Sequence, residues 1–262
     1  MPVPHSPDFE AQRLYDSVDL VNRVGDRARH ELCVMSLVAL MAGEHHSDRP
    51  ACACPVITAY AIKLNDALDD STRQHLKPFA PRIIGTRDGY SEERARFIVA
   101  KILRDVVPRL LDTRHGDLAS LIGALRLTAD VEVPRDAARR LTATLRVATR
   151  SGTLPHGRSG DLRYLLRAYG RESHELVATA AVVMLANCAR MSAERTDAQW
   201  FWNYATDLLD KTCDVGISGT HSAADIEKMS QQAAARLQAS LLREKLTRRV
   251  TGPGRMFRTS AD

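Results

Sequence analysis

A chain of 262 residues can bury a substantial core, as one large domain or two small ones, and its five cysteines, odd in number and irregularly spaced, argue against a disulfide framework. Arginine outnumbers lysine 31 to 6 and the formal net charge is +5. Residues 241–262 alone carry six basic and two acidic side chains, which leaves the other 240 residues near +1, so a nucleic-acid partner is not expected.

The polar, proline-containing start lacks the charged and apolar regions of a secretory signal. The longest apolar run, LVATAAVVMLANCA (176–189), is 14 residues, too short to span a bilayer, and it reads as a buried core helix. With the arginine bias, these features point to a bacterial cytoplasmic protein that does not enter a membrane.

Apolar residues recur at three- and four-residue spacing, and no alternating β-branched run appears, so the expected fold is all-α, a single multi-helix domain over residues 1–250 with a basic flexible tail at 251–262. The first helix is expected from Asp8 to about Val24. A second runs from Asp26 to Ala42, apolar almost all round and so surrounded by other helices, and Gly43 ends it. Pro55 can open the next, to about Leu68, because its missing N–H falls among the unpaired donors of a first turn. A short helix over 71–79 precedes the loop PRIIGTRDG. Ser91 is placed to cap a helix with Glu92 and Glu93 in its first turn, and Pro108 kinks or ends it.

Further helices are expected near 117–129, 135–150, 161–169, 172–194, 197–214 and 222–247, with Thr196/Gln199 and Ser222/Asp225 as capping-box pairs. The Gly/Pro/Ser cluster at 151–161 is where any division into two parts would fall. In the last helix Ile226, Met229, Ala233, Leu237 and Leu241 make a narrow apolar seam, suited either to internal packing or to a subunit interface, homo- or hetero-oligomeric.

The stretch AGEHHSDRPACACPV (42–56) concentrates the chemistry. Three readings compete there. His45, His46, Cys52 and Cys54 are metal-ligand types, but a single residue between the cysteines suits zinc poorly, and neither a metal nor a cofactor is expected. Cys54, before Pro55 at a helix start, and Cys52 are candidate thiol nucleophiles, with an unreactive packed thiol as the plainer alternative. The third reading uses oxygens: Glu44, Asp48 and Asp66 as acid/base carboxylates, with Asn65, Arg82 and Arg87 as binding groups for an anion. Its plainer alternative makes Asp48 a turn cap, Glu44 an arginine partner, and Asn65–Asp66 a helix end.

The segment CVMSLVALMAGEHHSDRPACACPVITAYAIKLNDAL followed by LKPFAPRIIGTR resembles an uncharacterised family from high-GC bacteria whose members share Ala-Gly-Glu-x-x-Ser-Asp-x-Pro-x-Cys-x-x-Pro-Val. It covers about residues 33–87, a fifth of the chain. Glu44, Ser47, Asp48, Pro50, Cys52 and Pro55 match the pattern, while His45, His46 and Cys54 fall at its variable places. The resemblance implies a location for the site and favours the carboxylates over a metal; it implies no reaction.

WFWNY (200–204) puts Phe201, Tyr204, Ala205 and Leu208 on one helical face, which suits core packing before a stacking platform. GISGTHS (216–222) lacks the lysine of a phosphate-binding loop, and His174–Glu175 opens the most apolar helix as a candidate pocket rim. The reading that follows is a cofactor-independent enzyme, a metal-independent transferase or lyase, acting on a small anionic metabolite. The 44–54 and 82–87 loops would enclose its site. The competing reading is a helical interaction subunit that uses the 222–247 seam, with weak affinity for anions or nucleic acid from its tail.

Overall fold

The computed structural model describes residues 9–110, 135–150, 156–216 and 221–250. The expected helix at 117–129 and the tail at 251–262 lie outside the described residues. The fold is all-α apart from one small sheet, and its helices share a single buried apolar cluster running from Leu14 to Leu237.

The start of the chain departs from expectation. Helix α1 (Phe9–Ser17) stops early, and the next stretch forms a three-stranded sheet, β1 (Asp19–Leu20), β2 (Gly25–Asp26) and β3 (Glu31–Leu32), where helix was expected through Val24 and again from Asp26. The order is β1-β3-β2, with β1 parallel to β3 and β2 antiparallel to it. Side chains from later elements hold the extended backbone. Gln74 both accepts from Leu20 N–H (2.9 Å) and donates to Leu20 C=O (2.9 Å), and the Asn65 amide donates to Val21 C=O while accepting from Val34 N–H. Gly25 sits at φ +74°, and a Cβ there would lie 2.2 Å from the Glu31 carbonyl oxygen, so only glycine fits.

Helix α2 (Val34–Ala42) is buried along all but its last residue, as an all-apolar helix must be, and Gly43 ends it in the left-handed region at φ 81°. Helix α3 (Pro55–Ala67) follows the loop, then the short α4 (Asp70–Arg73), a 3-10 segment, and α5 (Ala80–Ile83). Helix α6 (Ser91–Lys101) begins with Tyr90 at the cap position, not Ser91 as expected. It widens into a π turn over 102–106, closed by Val107 N–H to Ile102 C=O, before α7 (Val107–Leu110). Pro108 has no N–H for the Arg104 carbonyl, and the wider turn just before it accommodates the ring without breaking the rod.

The second half contains α8 (Arg135–Arg150), α9 (His156–Gly170), α10 (His174–Met191), α11 (Arg195–Cys213) and α12 (Ala223–Val250). Helix α10 carries the longest apolar run and is the hub, packed on α3, α6, α9 and α11. No helix among the described residues is long and apolar enough to cross a membrane. Helix α11 starts one residue before Thr196, with Glu194 at the cap, so the Thr196/Gln199 box does not form. The Ser222/Asp225 box does: each side chain bonds the other's backbone N–H, at 3.2 and 3.1 Å. Helix α12 packs against α1 and α2, and of its seam Ala233 and Leu237 are fully buried while Ile226 and Met229 are partly so.

Candidate functional site

The 43–54 loop is a braced structure. The Glu44 carboxylate, placed by the Gly43 turn, accepts from the backbone N–H of Ala51 (2.5 Å) and Cys52 (2.8 Å). Burial alone would raise its pKa, but these hydrogen bonds to the ionised form outweigh burial and hold the pKa below the ordinary carboxylate value. Such a carboxylate is a poor proton carrier at neutral pH. The Ser47 hydroxyl accepts from Arg49 N–H, and Arg236 of α12 reaches across to donate to Leu40 C=O beneath Gly43.

The 82–87 segment does meet this loop, as the sequence suggested, but through hydrogen bonds. Arg87 N–H donates to Cys52 C=O (3.2 Å), and Cys54 N–H donates to the Thr86 hydroxyl (2.9 Å), which in turn donates to Ile83 C=O. Thr86 C=O receives the buried Arg94 guanidinium at 2.7 Å, and Asp88 clamps that guanidinium through both oxygens at 2.6 and 2.8 Å. Arg94 is fully buried, an arginine at the centre of the joint that sequence reading passed over because it looks like any exposed residue of an amphipathic helix.

The expected site residues therefore separate. Burial, and after it the Glu44 carboxylate, push the Cys52 thiol up to about 12, which favours the protonated thiol over the thiolate that a nucleophile or metal ligand requires. Cys54 is 1% exposed, with its sulfur 3.4 Å from the Ser91 hydroxyl. Asn65 is buried and spends its amide on the strands. Asp66 is exposed and accepts from Arg23 N–H, which sits at φ 63°. Arg82 turns to α11 and pairs with Asp210 (2.8 Å) and Asp214 (2.7 Å), leaving it engaged within the fold. Arg87 is exposed, and Asp48 is half-buried. His45, His46, Cys52 and Cys54 do not converge: among the described residues no three or more His, Cys, Asp or Glu side chains are grouped to hold a metal ion.

A cavity adjoins the loop, with Arg49 in its lining. A hollow of about 860 Å³ opens between α3, α6 and α10, and the first residues of all three helices line it: Pro55 and Val56, Ser91, and His174 to Leu176. The cap positions of these helices, Cys54, Tyr90 and Ser173, make no side-chain capping bond. Uncapped first-turn amides and the aligned helix dipoles give all three ends positive partial charge. Arg49 and Lys63 supply full positive charges to the same lining. Glu175 lies 3.3 Å from Arg49 across the opening, both side chains half exposed or more.

Of these residues, His174 and Glu175 were legible as a rim. Lys63 was missed, although a single lysine inside PVITAYAIKLNDAL, a helix otherwise spaced for burial, was the available signal. A smaller hollow of about 350 Å³ lies between His75, Phe79, Trp202 and Asp207. The aromatic cluster beside it is largely packing: Phe201 is buried, Trp200 stacks on Tyr204 at 5.1 Å, and Tyr204 donates to Asp105 and Lys101 C=O. No family model, no curated protein and no solved structure matches the chain.

Proposed function

We propose that the chain binds a small anionic metabolite in the cavity between α3, α6 and α10 and acts on it as an enzyme that needs neither metal nor cofactor, of the transferase or lyase type. The observation that carries this reading is the convergence of three helix N-termini, none capped by a side chain, on one hollow that also holds Arg49 and Lys63. Backbone amides at helix starts and a guanidinium fork are complementary to phosphate or carboxylate oxygens. The anion-holding role first assigned to Arg82 and Arg87 passes to Arg49 and Lys63. The acid/base role assigned to Glu44 and Asp48 passes to His174 and Glu175, which line the cavity and present groups able to exchange protons with a bound molecule.

Glu175 has a second part in this reading. It pairs with Arg49 at 3.3 Å, so an anion must compete with it for the guanidinium. The test is a thermal-shift series with inorganic phosphate, pyrophosphate and citrate. A probe at a hundred times its Kd stabilises by about 2.7 kcal/mol, or about 5–10 °C for a domain of this size. Lys63→Ala should abolish the shift, and Glu175→Gln should tighten binding. No shift with any of the three, or an equal shift in Lys63→Ala, would remove the cavity as an anion site.

A further inference from the structure

The net charge of the chain hides a large separation along it. Residues 135–171 carry nine arginines against Asp136 and Asp161, a net +7 that exceeds the +5 of the whole chain, so everything outside this segment sums to −2. The segment is the helical hairpin α8–α9, and its basic surface is independent of the cavity and distinct from the tail at 241–262.

Both helices turn apolar faces inward. Ala138, Leu141 and Leu145 of α8 and Leu162, Leu165 and Leu166 of α9 are buried, and the two helices pack on each other. Among the described side chains, Arg139, Arg140, Arg146, Arg150 and Arg167 of the two helices are exposed. Arg146 and Arg150 lie one turn apart on α8, and Arg163 and Arg167 lie one turn apart on α9, steps of about 6 Å, with Arg171 in the turn that follows α9. Arg146, Arg150, Arg167 and Arg171 are exposed, and neither these nor Arg163 forms an ion pair among the described residues. The nearby acid does not neutralise them: Asp161 is turned toward α10, where it accepts from Asn187 at 2.8 Å.

Exposed guanidinium groups at helical spacing on two packed helices are complementary to a regular line of phosphates. A bilayer fits less well, because a helix lying in a membrane interface needs a continuous apolar face, and among the described residues of the two helices Val147 (65% exposed) and Tyr164 (46%) are the large exposed hydrophobics. Single strands are held by successive aromatic platforms, and the hairpin exposes one. We infer that the α8–α9 hairpin docks on double-stranded nucleic acid through its phosphates, without reading base sequence.

The experiment is fluorescence anisotropy of the full chain with a labelled DNA duplex over a series of salt concentrations. If the four exposed arginines each neutralise one phosphate, the slope of log K against log salt is about −3.6, and affinity falls about 10²-fold between 50 and 200 mM. The triple variant Arg146→Gln/Arg150→Gln/Arg167→Gln leaves the basic tail intact and removes only exposed, unpaired side chains. Its slope should become shallower by about 2.7 with the melting temperature unchanged. An unchanged slope would assign binding to the tail and overturn the proposal. So would binding to vesicles of equal phosphatidylserine and phosphatidylcholine with none to the duplex.

Discussion

Replacing Asp88 by alanine would leave the Arg94 guanidinium buried without its counterion. Arg94 has no exposed surface and Asp88 is only 10% exposed by side chain, so water cannot take over the lost contacts. Asp88 supplies both of its oxygens, and what remains among the described residues is Thr86 C=O at 2.7 Å and the Cys54 side chain. Removing one partner of a buried pair costs about 3–5 kcal/mol, because the stranded charge is worse than no charge. For a domain of this size that corresponds to a fall of about 6–20 °C in Tm. The loss should spread, since the same joint positions Thr86 under Cys54 N–H and Gly216 over the carboxylate, where a Cβ would lie 2.4 Å from Asp88 Oδ2. Urea unfolding of Asp88→Ala measures the effect, and the double variant Asp88→Leu/Arg94→Met should recover much of it by removing both charges together. A single-variant loss below about 1 kcal/mol, the range of an exposed ion pair, would refute the reasoning.

Three further outcomes follow from the loop and the sheet. Glu44 has a depressed pKa in the folded chain, so its contribution is fully present above the unfolded carboxylate value of about 4.3 and is lost as pH falls through the folded value. Glu44→Gln should therefore cost about 1 kcal/mol at pH 7 after allowing for solvent screening, and the gap from the parent should close below about pH 4 in paired urea titrations. Cys52, with its thiol pushed up to about 12, should resist iodoacetamide at pH 7.5 in the native chain and react once unfolded, as read by peptide mass spectrometry; rapid native labelling would contradict the burial. Gly25→Ala meets both the positive φ and the Glu31 carbonyl, so it should destabilise by more than the roughly 1 kcal/mol of an ordinary glycine substitution, measured as a Tm shift.

The helical architecture was legible because burial imposes a period. The all-apolar α2, the Pro55 start of α3, the acidic first turn of α6 and the Ser222/Asp225 box are each local rules that tertiary packing had no reason to override. The sheet at 19–32 was not legible for the opposite reason. Its two-residue strands are too short to show alternation, and they are held by Gln74 and Asn65, which are more than forty residues away in sequence. Thr196 shows the limit of a local motif: the pair was present, but the helix began two residues too early to use it.

The candidate site was displaced for a related reason. Polar density drew attention to 44–56, and the structure spends that density on backbone hydrogen bonds: Glu44 on two amides and Ser47 on one, while Asn65, beyond the loop, spends its side chain on Val21 C=O and Val34 N–H. Polar side chains close to one another in sequence are the ones best placed to satisfy a tight loop's backbone, which is how a bracing loop imitates a reactive one. The cavity's groups come instead from four separate segments, Arg49, Lys63, Ser91 and the 172–176 turn, each unremarkable within its own stretch. The bracing and the cavity are still one construction. By fixing Cys52 against Arg87 and Cys54 against Thr86, the loop sets where α3 begins relative to α6, and it carries Arg49 to Glu175 on α10. A braced loop that orients three helix starts toward one hollow can serve an anion without any of its own carboxylates touching it, so loss of Glu44 should disturb the cavity only through the position of Arg49.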